Sequence, residues 1–173
     1  LMIIFPIFIC AIYTSFNPES ISASSLPVSN HTIILDAGHG YPDGGAVASD
    51  GTIESELNLN IVLKLQQLLE ASNCTVILTR SDENGIYETT SNTIREKKVS
   101  DMKNRVEIAN TSNAEAFISI HMNKLPQTQY SGWQTFYKEN NLESKNLAQN
   151  IQSNLNYFLK TKNPENSGFC IFI

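Results

Sequence analysis

A chain of 173 residues with 41 % hydrophobic content is one domain's worth of sequence with ample material for a core, which excludes a disordered protein. Twelve Lys and Arg stand against seventeen Asp and Glu, a net charge of −5, so no overall positive field gathers a polyanion and nucleic acid is excluded as the expected partner. No repeat with a period of about twenty to fifty residues is present, which excludes solenoids and propellers.

The first sixteen residues, from Leu1 to Phe16, are apolar and uncharged, and the small-residue stretch Ser20 to Ser25 follows. This pattern predicts a secretory signal peptide or membrane anchor over 1–25, and hence an exported protein. The run is short for a membrane span, which needs roughly twenty residues, and Pro6 interrupts it. A charged segment normally precedes such a run, yet the first Lys or Arg here is Lys64 and residue 1 is Leu, so further sequence is expected upstream. Cys10 lies within the apolar run behind bulky neighbours, which disfavours lipidation. Cys74 and Cys170 are too few for a disulfide framework.

From Thr32 onward, short β-branched runs alternate with longer helical periods. The first strand is expected at Thr32 to Leu35, and the helix after it has Leu57, Ile61, Leu65, Leu68 and Leu69 as its buried stripe. A second strand, Thr75 to Leu78, leads into a polar connection from Asp82 to Lys98, in which Arg95-Glu-Lys-Lys98 reads as a solvated charge cluster. The next helix is expected to begin near Ser100-Asp101 and to bury Met102, Val106 and Ala109. Strands at Ala116 to Ile120 and Gly132 to Tyr137 follow. A last helix from Glu143 to Leu159 carries Leu147, Ile151, Leu155 and Phe158, before Pro164 and Gly168 break the pattern. The order predicts an α/β domain over 32–173, a three-layer sandwich around a mostly parallel twisted sheet.

Where the first strand stops, Asp36-Ala-Gly-His-Gly40 delivers His39 between two glycines, Gly38 and Gly40. A second strand-end histidine, His121, and an acidic residue at the head of the first helix complete a His/Glu/His set suited to zinc. Strand ends are where open α/β sheets place their sites. Taken singly, each residue has a plainer reading: a histidine serving as a structural hydrogen-bonding group, or a glutamate complementing a helix dipole. Spacing does not choose between Glu54 and Glu56. Asp36 could orient an imidazole from behind, whereas Asp43 reads as part of a Pro-Asp-Gly-Gly turn.

These segments carry a resemblance. Asp36-Ala-Gly-His-Gly40, Gly44-Gly-Ala46, Thr52-Ile-Glu-Ser-Glu-Leu-Asn-Leu59, Thr79-Arg80, Lys103-Asn-Arg105 with Ala109-Asn110, and Ser119-Ile-His-Met-Asn123 together resemble the zinc-dependent N-acetylmuramoyl-L-alanine amidases, in unbroken order from about Thr32 to Leu159. The tracts Lys97 to Arg105 and Tyr130 to Tyr137 are further similar to the spore-cortex, germination-related amidases of endospore formers. The resemblance implies that His39, Glu54 and His121 are the zinc ligands and favours Glu54 over Glu56. Asp36, Gly38, Gly40, Arg105 and Asn123 are implied as supporting residues. It also implies hydrolysis of the amide between N-acetylmuramic acid and L-alanine in peptidoglycan, and action outside the cytoplasm, with the forespore intermembrane space and membrane anchoring as expectations. An activating partner protein is left open. The family's general base is a Glu on a late strand, and that residue is expected beyond Ile173. Ser167 to Ile173 holds no carboxylate and is expected to be a frayed strand start, so the late strands of the sheet are expected to be missing. The chain as it stands is therefore expected to be a weak enzyme, or a wall-binding relative without activity.

Overall fold

The computed structural model describes residues 28–122, 132–159 and 170–173. The expected leader over 1–25, Cys10, Asn123, Pro164 and Gly168 lie outside the described residues. Among those described, no helix is long and apolar enough to cross a membrane.

Five strands form one sheet: β1 (Thr32–Ala37), β2 (Thr75–Leu78), β3 (Ala116–His121), β4 (Gln134–Phe136) and β5 (Cys170–Phe172), in the order β2-β1-β3-β5-β4. The helices are α1 (Glu54–Ala71), α2 (Ile94–Thr111) and α3 (Leu142–Phe158). Strands β2, β1 and β3 run parallel, as expected for strands joined by helical crossovers. The remaining part is reversed: β5 pairs antiparallel with β3, and β4 pairs parallel with β5. The sheet is thus mixed. The segment expected to be a frayed end lies inside it, with Cys170, Ile171 and Phe172 in register with His121, Ile120 and Ser119.

Side chains alternate across a strand, and β1 shows what each face of the sheet carries. Leu35 and Ala37 join Val62 of α1 with Ile118, Ile120 and Ile171 in the buried core, against which Leu65 and Leu69 of α1 and Ile151 and Leu155 of α3 pack. Asp36 points the other way and meets Arg105 of α2. Helices α1 and α3 therefore cover one face and α2 the other, which is the three-layer sandwich.

The helix phases differ from the periodic expectation. On α1 the buried residues are Glu54, Ser55, Asn58 and Val62, while Leu68 is 68 % exposed. The inward line is rotated because the first turn of α1 must face the strand ends, and there the chain places polar groups: Asn58 donates to the Gly38 carbonyl at 3.1 Å. On α3, Ala148 is the buried residue and Phe158 is exposed. Helix α2 begins at Ile94, not near Ser100, because Thr93 and Glu96 form a reciprocal capping box. The connection is correspondingly shorter than Asp82 to Lys98. Ser100 and Asp101 are not caps: they accept hydrogen bonds from the backbone of Glu88 and Ile86 and tie that connection down on α2. Met102 and Val106, expected in the core, are exposed. Cys74 and Cys170 are both buried.

Candidate metal centre

His39 lies just beyond β1, His121 ends β3, and Glu54 opens α1. Adjacent parallel strands bring the first two together from 82 positions apart. One ligand atom from each of the three lies within 4.8 Å of the other two. The Glu54 Oε1 oxygen is 3.3 Å from His39 Nε2 and 3.2 Å from His121 Nδ1, and the two rings meet edge to face with centroids 4.8 Å apart. Glu56 is exposed and takes no part.

The surrounding backbone is shaped for this cluster. Glu54 is 5 % exposed, and its carboxylate accepts the Ala46 amide at 2.8 Å on Oε2 and the Met122 amide at 2.9 Å on Oε1. Burial raises its pKa, but those amides and the neighbouring histidines outweigh it and hold the carboxyl below its ordinary value. Burial pushes the His121 imidazole down, and His39 adds to that effect, so His121 is the neutral ring a metal requires. A Cβ at Gly38 would lie 2.3 Å from two atoms of the His121 ring. At Gly45, where φ is +72°, it would lie 2.7 Å from both Glu54 Oε2 and His39 Cδ2. His39 itself adopts φ +62°, a conformation that costs a non-glycine residue about 1–3 kcal/mol unless its surroundings impose it.

Arg105 imposes it. Its guanidinium donates to the His39 carbonyl at 2.6 Å, the Ala37 carbonyl at 2.8 Å, Asp36 Oδ1, and Asp101 Oδ2 at 2.6 Å. Asp36 also accepts from Thr79 at 2.7 Å and from Ser119. Its two oxygens are thus taken by the guanidinium and by two hydroxyls, so it acts on the nearby His121 ring through its charge and not through a hydrogen bond. Arg80 braces the same loop through the Ala37, Gly38 and Ser55 carbonyls, and burial together with the charge of Arg105 lowers its pKa to about 10.

The acceptor for the His39 ring is Asp43, the residue that reads as a plain turn aspartate. Its Oδ2 is 3.0 Å from His39 Nδ1, and its Oδ1 is 2.9 Å from Lys98 Nζ. The positive-φ backbone at His39 folds the loop back so that a residue four positions on reaches the ring. Lys98 is accordingly not simply solvated. A carboxylate on Nδ1 fixes the tautomer that turns the Nε2 lone pair toward Glu54. Two imidazoles and a desolvated carboxylate, one ring backed by a second carboxylate, form a donor set that fits zinc. Replacing Asp43 by Asn is expected to weaken zinc binding by about 10–100-fold, measured by competition with a chromogenic chelator. Unchanged affinity would remove Asp43 from the site.

The cluster opens into a cavity of about 340 Å³ whose far wall is α2. Residues 33–168 match the family profile of N-acetylmuramoyl-L-alanine amidases. The chain belongs to this family. Within the amidase family, it is 35 % identical over 143 residues to the germination-specific N-acetylmuramoyl-L-alanine amidase of Bacillus subtilis, an alignment covering 83 % of this chain and 60 % of that one. It is 33 % identical over 138 residues to the amidase LytC of the same organism, covering 79 % of this chain and 25 % of LytC. The chain thus spans less than two thirds of the length of these relatives. Among solved structures, the CwlD amidase of Clostridioides difficile in complex with the GerS lipoprotein superposes with a TM-score of 0.73 at 40 % identity, covering 83 % of each chain.

Proposed function

We propose that this protein is a zinc-dependent peptidoglycan amidase, cleaving the bond between the lactyl carbonyl of N-acetylmuramic acid and the L-alanine of the stem peptide, and that it acts on spore cortex. The observation that carries this reading is the convergence of His39 Nε2, Glu54 and His121 Nδ1 at the mouth of a cavity, with Asp43 behind His39. The germination-specific relative supports the cortex assignment. When bound, zinc supplies Lewis acidity that polarises an amide carbonyl and acidifies water. Glu54 contributes the negative charge, Asp43 holds the His39 tautomer, and Arg105 and Arg80 fix the loop between them. The leader over 1–25 would deliver the protein across the membrane or anchor it there, and the lipoprotein in complex with the Clostridioides relative makes a lipoprotein an expected partner.

A second reading is binding to the wall without cleavage. It rests on the carboxylates of the cavity: Asp36 and Asp101 are held by Arg105, and Asp43 by Lys98 and His39. Among the described residues that line the cavity, each of these carboxylates is paired with a cation or an imidazole. General-base catalysis is worth typically 10²–10⁴-fold, so its source decides between a fast enzyme and a binder.

Purified cortex peptidoglycan incubated with the protein is expected to release stem peptides with a new L-alanine amino terminus. A chelator should stop release and added zinc should restore it. Co-sedimentation with the wall but no new amino termini would establish the second reading. Release that persists in chelator would sink the zinc mechanism.

A further inference from the structure

Three features of α2 have no role in holding the metal centre. Ile94, Met102 and Val106 are 59 %, 67 % and 58 % exposed, recur at multiples of four residues, and face the cavity that opens from His39 and His121. They make one apolar stripe, since side chains four apart on a helix share a face. Lys97 lines the same cavity half-buried, its ammonium 4.8 Å above the Tyr87 ring. Among the described residues no carboxylate lies within ion-pair distance of it, whereas its neighbour Lys98 is paired with Asp43. A half-buried cation held by an aromatic face and facing a cavity is a place for an anion.

The geometry points to this groove as the stem-peptide subsite, with Lys97 receiving a carboxylate of the stem beyond its first alanine. This inference rests on the amidase reading above. Charge decides the occupant: the N-acetylated sugars of the glycan are neutral and would leave Lys97 uncompensated, while the stem carries free carboxylates after L-alanine. The protein's net charge of −5 makes this local cation selective, because the molecule as a whole repels acidic peptides. Length agrees. Ile94 to Val106 spans about 18 Å of helix at roughly 1.5 Å per residue, enough for about five extended peptide residues. Lys97 stands about 12 Å along the axis from Arg105, which grips the His39 carbonyl, so it meets a residue about three or four places along the stem. The apolar stripe between them suits alanyl methyls and aliphatic stems.

The test compares the wild type with Lys97→Met and Lys97→Arg, zinc-loaded, on cortex muropeptides whose stem carboxylates are free or amidated. Loss of one partly exposed ion pair of about 1 kcal/mol corresponds to about fivefold. Lys97→Met is expected to raise KM about fivefold on the free-carboxylate substrate with kcat nearly unchanged, and Lys97→Arg should retain the wild-type KM. Amidation should cost the wild type the same factor and cost Lys97→Met nothing further. Equal KM values for wild type and Lys97→Met, or an amidation penalty equal in both, would overturn the assignment. If the wild type releases no stem peptide, the amidase reading fails by itself, and the groove is read instead by calorimetry with free stem peptide. Wild-type binding weakened about fivefold by Lys97→Met supports the subsite, and equal or absent binding overturns it.

Discussion

Replacing Gly38 by alanine will drive the His121 ring out of the metal centre, and zinc retention and amide hydrolysis will fall together. The added Cβ would sit 2.3 Å from His121 Cε1 and Nε2 and 2.7 Å from Cδ2, far inside van der Waals contact, so the ring cannot stay. Nor can the glycine's own backbone yield readily. Its carbonyl is held by Asn58 at 3.1 Å and Arg80 at 3.1 Å, and its amide donates to the Ile120 carbonyl at 3.1 Å. A ligand misplaced by about 1 Å can cost on the order of 10²-fold, and losing it altogether costs at least that. Zinc content after dialysis, by elemental analysis, and release of stem peptides are the two readouts. The expected signature is loss of both with a thermal transition close to that of the metal-free wild type. Full zinc content in Gly38→Ala would mean that His121 is not a ligand.

The second large effect is on stability. Arg105→Met is expected to destabilise the fold by about 3–5 kcal/mol, the cost of leaving a buried charge without its partner. Asp36 is 4 % exposed and Arg105 8 %, and the arginine also satisfies the Ala37 and His39 carbonyls. For a domain of this size, that corresponds to a fall in Tm on the order of 10 °C. The pH dependence follows from the same pair. Burial raises the Asp36 carboxyl, but the charge of Arg105 and the hydroxyls of Ser119 and Thr79 outweigh it, so the folded pKa lies below the unfolded one. A depressed carboxylate contributes stability that is complete above its unfolded pKa, about 3.9, and is lost as pH falls through the folded value. In Arg105→Met burial acts unopposed by the guanidinium, so part of this acid sensitivity should disappear. Thermal unfolding at neutral pH and at about pH 2, below the unfolded carboxylate value, checks both statements. A variant as stable as the wild type, with the same acid profile, would show that the clamp is dispensable.

The parts of the protein that were legible in its sequence are those written in contiguous residues. β1, β2 and β3 are short apolar runs, and each was expected within one or two residues of its observed bounds. His39 and His121 stand out because one lies just beyond such a run and the other ends one, where strand-end sites form. Misread residues share a different property: their meaning depends on which body they face. Met102 and Val106 form a helical stripe, and a stripe identifies a surface without saying whether protein or solvent lies against it. Leu68 and Phe158 were misplaced for the same reason. Thr93 with Glu96 was a local signal in plain view, a capping box that fixes the start of α2, and it was passed over for Ser100 and Asp101.

Sequence by itself therefore determined the α/β alternation and the family and pointed to the His/Glu/His set, because strand runs, the histidines at their ends and an ordered set of motifs are all local. Tertiary structure alone decided the rest. It placed β5 between β3 and β4, antiparallel to the first and parallel to the second, set Asp43 behind His39 and turned Asp36 toward Arg105. It also left Lys97 facing a cavity with no carboxylate, among the described residues, within ion-pair distance of it. Each of these is a contact between residues whose proximity is created by chain reversal or sheet pairing. Local propensity specifies neither, because the free energy that fixes them comes from burial and charge compensation across elements 69 positions apart in the case of Asp36 and Arg105.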